Sequence, residues 1–290
     1  MYRQTIEQAR TRPITPRCAL PSWLDLERLR KGQALYLRRR AFIQQVLGTS
    51  SLAATFAARD ITPVLMQTGR LPSDFTRRMQ ETQEWVERLL EGFPSREAFI
   101  KNNYAQATAL GELHRNVAER VTSTLKWNPR ERLPMNQQAY GFVLATFAWW
   151  PLEALQAKNI PEETKDLEAW LHLWAVLGYG MGVSEALLPK TLPQTKALVE
   201  SLRKAQYAHV GEPRPEGIPV LLGGQVRLIV TAMGGKPDKP TLEKLAPFAT
   251  RVLLSQLMLS PGLCEALGLE KTEKEAGEQL LGFAKAGQAL

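Results

Sequence analysis

Apolar residues along most of this chain recur at intervals of three and four, the spacing that lines one face of an α-helix. No other feature restricts the fold as much. The stretch "PSWLDLERLRKGQALYLRRRAFIQQVLG" over 21–48 carries it and predicts two helices that stop at Gly48. The segment "PSDFTRRMQETQEWVERLLEGFP" over 72–94 predicts another, with Ser73 or Asp74 as N-cap and Gly92 and Pro94 as its end. A long helical segment follows from Ser95 to Leu125, with Leu110, Val117 and Val121 on one face. Residues 161–187 open on Pro161 and acidic residues, where a helix dipole favours them, and carry Gly178, Gly180 and Gly182 at a spacing suited to close packing. Strand-like sequence is confined to "IPVLLGGQVRLIVTAM" at 218–233, where a pair of short helices split by Gly223 and Gly224 is preferred to a hairpin. The last forty or so residues return to helical patterning. The fold class is all-α.

At 290 residues, 44% of them hydrophobic, the chain is long enough for one large core. It carries no internal repeat or low-complexity tract, so a single helical domain over 1–290 is expected. Its net charge of +8 is uneven: residues 1–60 hold eleven Arg/Lys against four Asp/Glu. The run "LRRRAF" at 37–42 lacks a nucleic-acid motif and reads as a solvated helix face, so no nucleic-acid partner is expected. Cys18 and Cys264 stand far apart without zinc-ligand spacing. The opening "MYRQTIEQARTRP" has no apolar core of a secretory signal, which predicts a cytoplasmic protein and a small intracellular substrate. The longest charge-free run, Leu133 to Leu152, contains only fourteen consecutive apolar-type residues, "AYGFVLATFAWWPL", too few to cross a bilayer. It reads as a buried helix, and the tryptophans as core.

Histidine is rare here. His114, in "LGELHRNVAER", lies four residues after Leu110 and three before Val117, so it falls on the apolar face of its helix and points inward. From spacing alone such a residue is either a hydrogen-bonded core histidine or a ligand. His172, in "WLHLW", reads as a hydrogen-bonded structural residue, and His209, in "AHVGEPRP", as a loop residue.

Four stretches in order, "VLMQTGRLPSDFTRRMQET", "LGELHRNVAERV", "KWNPRERLPMNQQAYGFVLATF" and "EAWLHLWAVLGYGMGV", resemble the latex-clearing protein (rubber oxygenase) and MpaB-type oxygenase family. The resemblance covers roughly residues 30–205 and leaves about 206–290 as a C-terminal helical cap. Arg78 and Thr82 match an Arg and a Thr four residues apart after a TGRL-like turn. His114 matches the histidine of a VRxxHAxVR-like helix, and Pro134, Asn136 and Gln137 match a Pro-x-Asn-Gln segment.

The resemblance implies a globin-like helical core around haem b. It implies oxygen-dependent chemistry on an isoprenoid, alkene or other hydrophobic small molecule, with His114 as the proximal ligand to the iron. It also implies that Arg78 and Thr82, which leave one helix face at i and i+4, lie on the distal side of the haem, where they donate hydrogen bonds to O2 as charge develops. Two departures stand out. The residue before Thr82, where rubber-cleaving members can carry lysine, is Glu81, and "HRNVA" places Arg115 and Ala118 where the family has a small residue and an arginine. Arg115 either serves a haem propionate or faces solvent. Two alternatives to an oxygenase stay open: a peroxidase-like or dehydrogenating haem enzyme on the same scaffold, and a non-enzymatic helical module that binds a partner through Arg38, Arg39 and Arg40.

Overall fold

A computed structural model describes residues 2–67, 74–124, 132–208, 212–236 and 238–286. The TGRL-like turn, Ser73 and His209 lie outside them. The described elements are α1 (Arg3–Ala9), α2 (Leu26–Val46), α3 (Leu52–Ala57), α4 (Thr62–Gln67), α5 (Phe75–Leu89), α6 (Arg96–Ala98), α7 (Ala105–Thr124), α8 (Gln137–Ala148), α9 (Trp150–Ala157), α10 (Thr164–Met181), α11 (Leu192–Gln206), α12 (Ile218–Ala232), α13 (Lys239–Leu257), α14 (Leu263–Ala266) and α15 (Glu273–Ala286). Two π-helical turns, Leu47–Ser51 and Phe99–Tyr104, and one 3₁₀ turn, Glu185–Leu187, complete them. Among the described residues there is no strand, and the fold is all-α. The chain divides into two compact units: Met1–Gln44 with Gln83–Gln206, and Gln45–Thr82 with Tyr207–Leu290.

The first unit is built around α10, whose Trp170, Leu171, Leu173, Trp174, Val176 and Leu177 are all buried. A helix apolar on every side must be enclosed by others, and α7, α8 and α11 pack against it. Trp149 and Trp150 are buried too, so these four tryptophans fill core as expected, whereas Trp23 is exposed. The expected buried helix is present, broken at Trp149 into α8 and α9. Gly182 ends α10 with φ +97, a backbone conformation that disfavours any side chain. Its carbonyl accepts from the backbone N–H of Thr15 at 3.2 Å, which straps the N-terminal segment across the helix end.

Helix α7 follows an interrupted path. Ser95 caps α6 by accepting from the N–H of Ala98, and the chain then widens through the π-helical turn before α7 begins. At Gly111, α7 approaches the end of α10 so closely that a Cβ would collide with the Met181 carbonyl oxygen. The contact is backbone on backbone and has no flexible atom to yield.

The second unit packs α12 against α13 and α15, with α3 on α12 and the first π-helical turn on α13. Two expectations are corrected here. The 21–48 stretch does not stop at Gly48: α2 kinks at Arg39 (φ −116, ψ 18) and continues through the π-helical turn into the buried α3. Residues 218–232 form neither two short helices nor a hairpin but the single helix α12. Its glycines serve proximity rather than a break, since a Cβ on Gly223 would lie 2.5 Å from the Phe283 carbonyl oxygen and one on Gly224 2.8 Å from the Phe75 ring. Apolar helices that close tolerate glycine because the contact outweighs its propensity cost of about 1 kcal/mol.

Gly111→Ala is therefore expected to force α7 from α10 and lower stability by on the order of 2 kcal/mol. Gly277→Ala in α15, where a Cβ meets nothing within 4 Å, is expected to raise it by about 0.5–1 kcal/mol. Urea unfolding of the two variants should show opposite shifts in midpoint.

Candidate functional site

The close crossing at Gly111 places His114 three residues further along α7. His114 is half-buried, flanked on its face by the half-buried Leu110, Val117 and Ala118, while Val121 is buried and Leu113 is 56% exposed. The apolar face that the spacing predicts is thus only partly covered by protein, and the imidazole sits on it rather than inside the core. Its Nδ1 is in hydrogen-bond contact with the hydroxyl of Tyr140 from α8. The two rings meet edge to face, with centroids 5.3 Å apart and planes at 71°. Tyr140 is buried, and burial pushes its phenol well above the usual tyrosine range, so the group is a neutral hydroxyl. Spacing along the chain does not identify Tyr140. Its only signal is a polar hydroxyl inside an otherwise apolar run, three residues after Gln137.

These residues suit a haem. Among the described residues no group of three or more His, Cys, Asp and Glu could hold a bare metal ion, but a porphyrin brings its own ring nitrogens and asks the protein for an axial side chain and an apolar surface. An imidazole on a half-covered apolar helix face, with one nitrogen on a hydrogen-bond partner, has both properties.

Arg78 and Thr82 leave the same face of α5 but are differently engaged. The Thr82 hydroxyl donates to the Arg78 carbonyl at 2.8 Å, a bond to the preceding helical turn. The Arg78 guanidinium, half-buried, is ion-paired with Glu81. Glu81 also accepts from Arg77 at 3.1 Å, and these two arginines, Arg78 foremost, hold its carboxyl below the usual range. The Glu81 carboxylate therefore offsets the charge of the guanidinium beside it. His114 belongs to the first compact unit, and Arg78 and Thr82 to the second.

The Pro-x-Asn-Gln segment proves to be a structural joint. Asn136 caps α8 by accepting from the Ala139 N–H at 2.9 Å. Gln137 donates to the carbonyls of Pro13 (3.0 Å) and Gly182 (2.8 Å) and accepts from the Ser184 N–H (2.8 Å). A primary amide suits this position because it can donate twice and accept at once. Arg115 is exposed and pairs with Glu112 at 2.5 Å on the solvent side of α7. Arg38 pairs with Glu162 and Asp166, Arg39 with Glu162, and Arg40 with Glu87.

The profile of a family described as "ER-bound oxygenase mpaB/B'/Rubber oxygenase, catalytic domain" matches residues 32–289. That is nearly the whole chain and extends past the four motif-bearing stretches, so the protein belongs to this oxygenase family. It is 23% identical over 264 residues to a rubber oxygenase of Streptomyces sp. (strain K30), an alignment covering 81% of this chain and 62% of that protein. Its fold matches a latex clearing protein, LCP, in the closed state, with a TM-score of 0.63 at 17% identity over 92% of this chain and 76% of that one. The chain thus spans less than two thirds of the length of the rubber oxygenase. Among the described residues no helix is long and apolar enough to cross a membrane.

His172 is a hydrogen-bonded structural residue, as its sequence context predicts. It is 7% exposed, its Nε2 accepts from the Asp25 N–H at 3.1 Å, and Trp23 packs edge-on against its ring at 5.7 Å. Burial, with the Arg28 cation adding to it and Asp25 opposing, pushes its imidazole down to about 4 from 6.5. Across that window the unfolded chain binds a proton and the folded one does not, so stability falls as pH drops from 6.5 toward 4. Urea unfolding near neutral pH and at about pH 5 should show His172→Gln losing a slope of up to about 1.4 kcal/mol per pH unit. Equal slopes in parent and variant would remove His172 as the source.

Proposed function

We propose that this chain is a haem b-dependent oxygenase that acts with O2 on a hydrophobic small-molecule substrate, with His114 as axial ligand to the iron. Membership of the oxygenase family supports the reaction class. The observation that carries the ligand assignment is the His114 imidazole on a half-covered apolar face with its Nδ1 on the Tyr140 hydroxyl. The same apolar character of Leu110, Leu113 and Val117 favours a hydrophobic ligand over a polar one.

Haem b, when bound, supplies an iron that activates O2 by electron donation. The chain contributes orientation and polarity. His114 would hold the iron through Nε2. Arg78 is the candidate donor to O2, since the Thr82 hydroxyl is spent on the backbone carbonyl of Arg78. Glu81, ion-paired with that guanidinium, offsets its charge and sets how strongly it donates. A peroxidase-like or dehydrogenating reaction remains the runner-up, and peroxide-driven turnover would favour it. The binding-module reading needs free cations at 38–40, and those three arginines are all paired with carboxylates.

The absorption spectrum of the full chain produced with haem supplied, oxidised and dithionite-reduced, tests the proposal beside His114→Ala. A Soret band lost or strongly shifted in the variant supports it. A parent that stays colourless with added haem overturns it. In the haem-loaded protein, Arg78→Ala is expected to speed oxidation of the reduced form by O2 roughly tenfold, the equivalent of one charge-assisted hydrogen bond, and Glu81→Gln to slow it. Equal rates in all three would leave Arg78 a surface residue.

A further inference from the structure

We infer that Tyr140 is the positioning residue of His114: its hydroxyl oxygen accepts the Nδ1–H, which turns the lone pair of Nε2 toward the iron. The inference rests on the axial-ligand reading of His114 and assigns the residue that makes that histidine a competent ligand.

Three observations carry it. The Tyr140 hydroxyl meets Nδ1 itself, and the rings stand edge to face at 71°, so the contact is a polar one at the nitrogen rather than a stack. The partners come from different helices, α7 and α8, so the bond fixes the imidazole relative to the body of the first unit and not merely to its own helix. Tyr140 is itself held, because α8 is capped by Asn136 and tied down by Gln137 within one turn of it.

The axial-ligand reading of His114 requires one direction of the bond. A neutral imidazole carries one proton, and the ring nitrogen without it is the one able to ligate. Were the phenol to donate to Nδ1, the proton would sit on Nε2 and close it to iron. With Nδ1–H donating to the phenol oxygen, Nε2 is the nitrogen that carries the lone pair, and the ring's orientation is set.

The identity of the acceptor also bears on the chemistry. A carboxylate there pulls the Nδ1 proton toward itself and gives the ligand imidazolate character, which favours higher iron oxidation states. A phenol, neutral at pH 7, leaves an ordinary imidazole and favours retention of the reduced iron that O2 chemistry starts from. The pair therefore argues for O2 over peroxide as the oxidant.

The test compares the haem-loaded full chain with Tyr140→Phe and Tyr140→Glu by resonance Raman and by midpoint potential. Tyr140→Phe should keep the histidine-ligated spectrum while lowering the iron–histidine stretching frequency and raising the potential, and Tyr140→Glu should move both the other way. Frequencies and potentials unchanged in Tyr140→Phe would overturn the inference with the ligand assignment intact. A second measurement needs no haem and no change at Tyr140: ¹⁵N shifts of histidine in the apoprotein, with His114 assigned through His114→Gln. An Nδ1–H tautomer in the parent supports the pair, and an Nε2–H tautomer overturns it. Failure of the parent to bind haem is a separate result, which sinks the axial-ligand reading itself.

Discussion

The backbone crossing of α7 and α10 at Gly111 is the contact from which the arrangement of the first unit follows. Because nothing larger than hydrogen fits between Gly111 and the Met181 carbonyl, the two helices meet at a fixed depth, and His114 is placed within a turn of that point. The end of α10 then gathers other segments. Gly182 turns the chain, and its carbonyl holds both Thr15 and Gln137, so α8, which carries Tyr140, is anchored to the same place. One cluster of backbone groups thus sets the imidazole and the hydroxyl that meets it.

The α5 segment shows how a shared spacing can support altered chemistry. Arg78 and Thr82 at i and i+4 share one face, but the residue between them, Glu81, changes its electrostatics. Here Glu81 reaches both Arg77 and Arg78, so the segment presents a dipolar cluster instead of accumulated positive charge. A lysine in its place would repel both arginines. The effect is on the strength and direction of the local field more than on the shape of the helix.

Much of this was legible in the sequence, and the rest was hidden for identifiable reasons. The faces of α7 and α10 follow from apolar spacing, since burial depends on period alone. The glycine pair in α12 was misread because glycine signals both a helix break and a close approach, and only the neighbour, here the Phe283 backbone, distinguishes them. Gly48 misled similarly, as a π-helical turn absorbs it. Tyr140 was invisible because its partner lies on another helix twenty-six residues away, and no local pattern encodes such a meeting. The pairing of Arg78 with Glu81, by contrast, is a neighbour relation at i and i+3 that the sequence already contains.

The π-helical turn at Phe99–Tyr104 has a consequence for how this part of the fold can change. Each residue of an α-helix advances the chain by about 100° around its axis, so a turn one residue wider offsets everything before it from everything after it by that angle. Loss of a single residue there would restore a regular helix at no cost in backbone hydrogen bonds. It would also swing the segment beyond it, and the imidazole with it, by more than a quarter of a revolution relative to Phe99. Insertions and deletions in this turn are thus changes of heading rather than of length, and one that redirects this histidine also carries Gly111 away from the Met181 carbonyl.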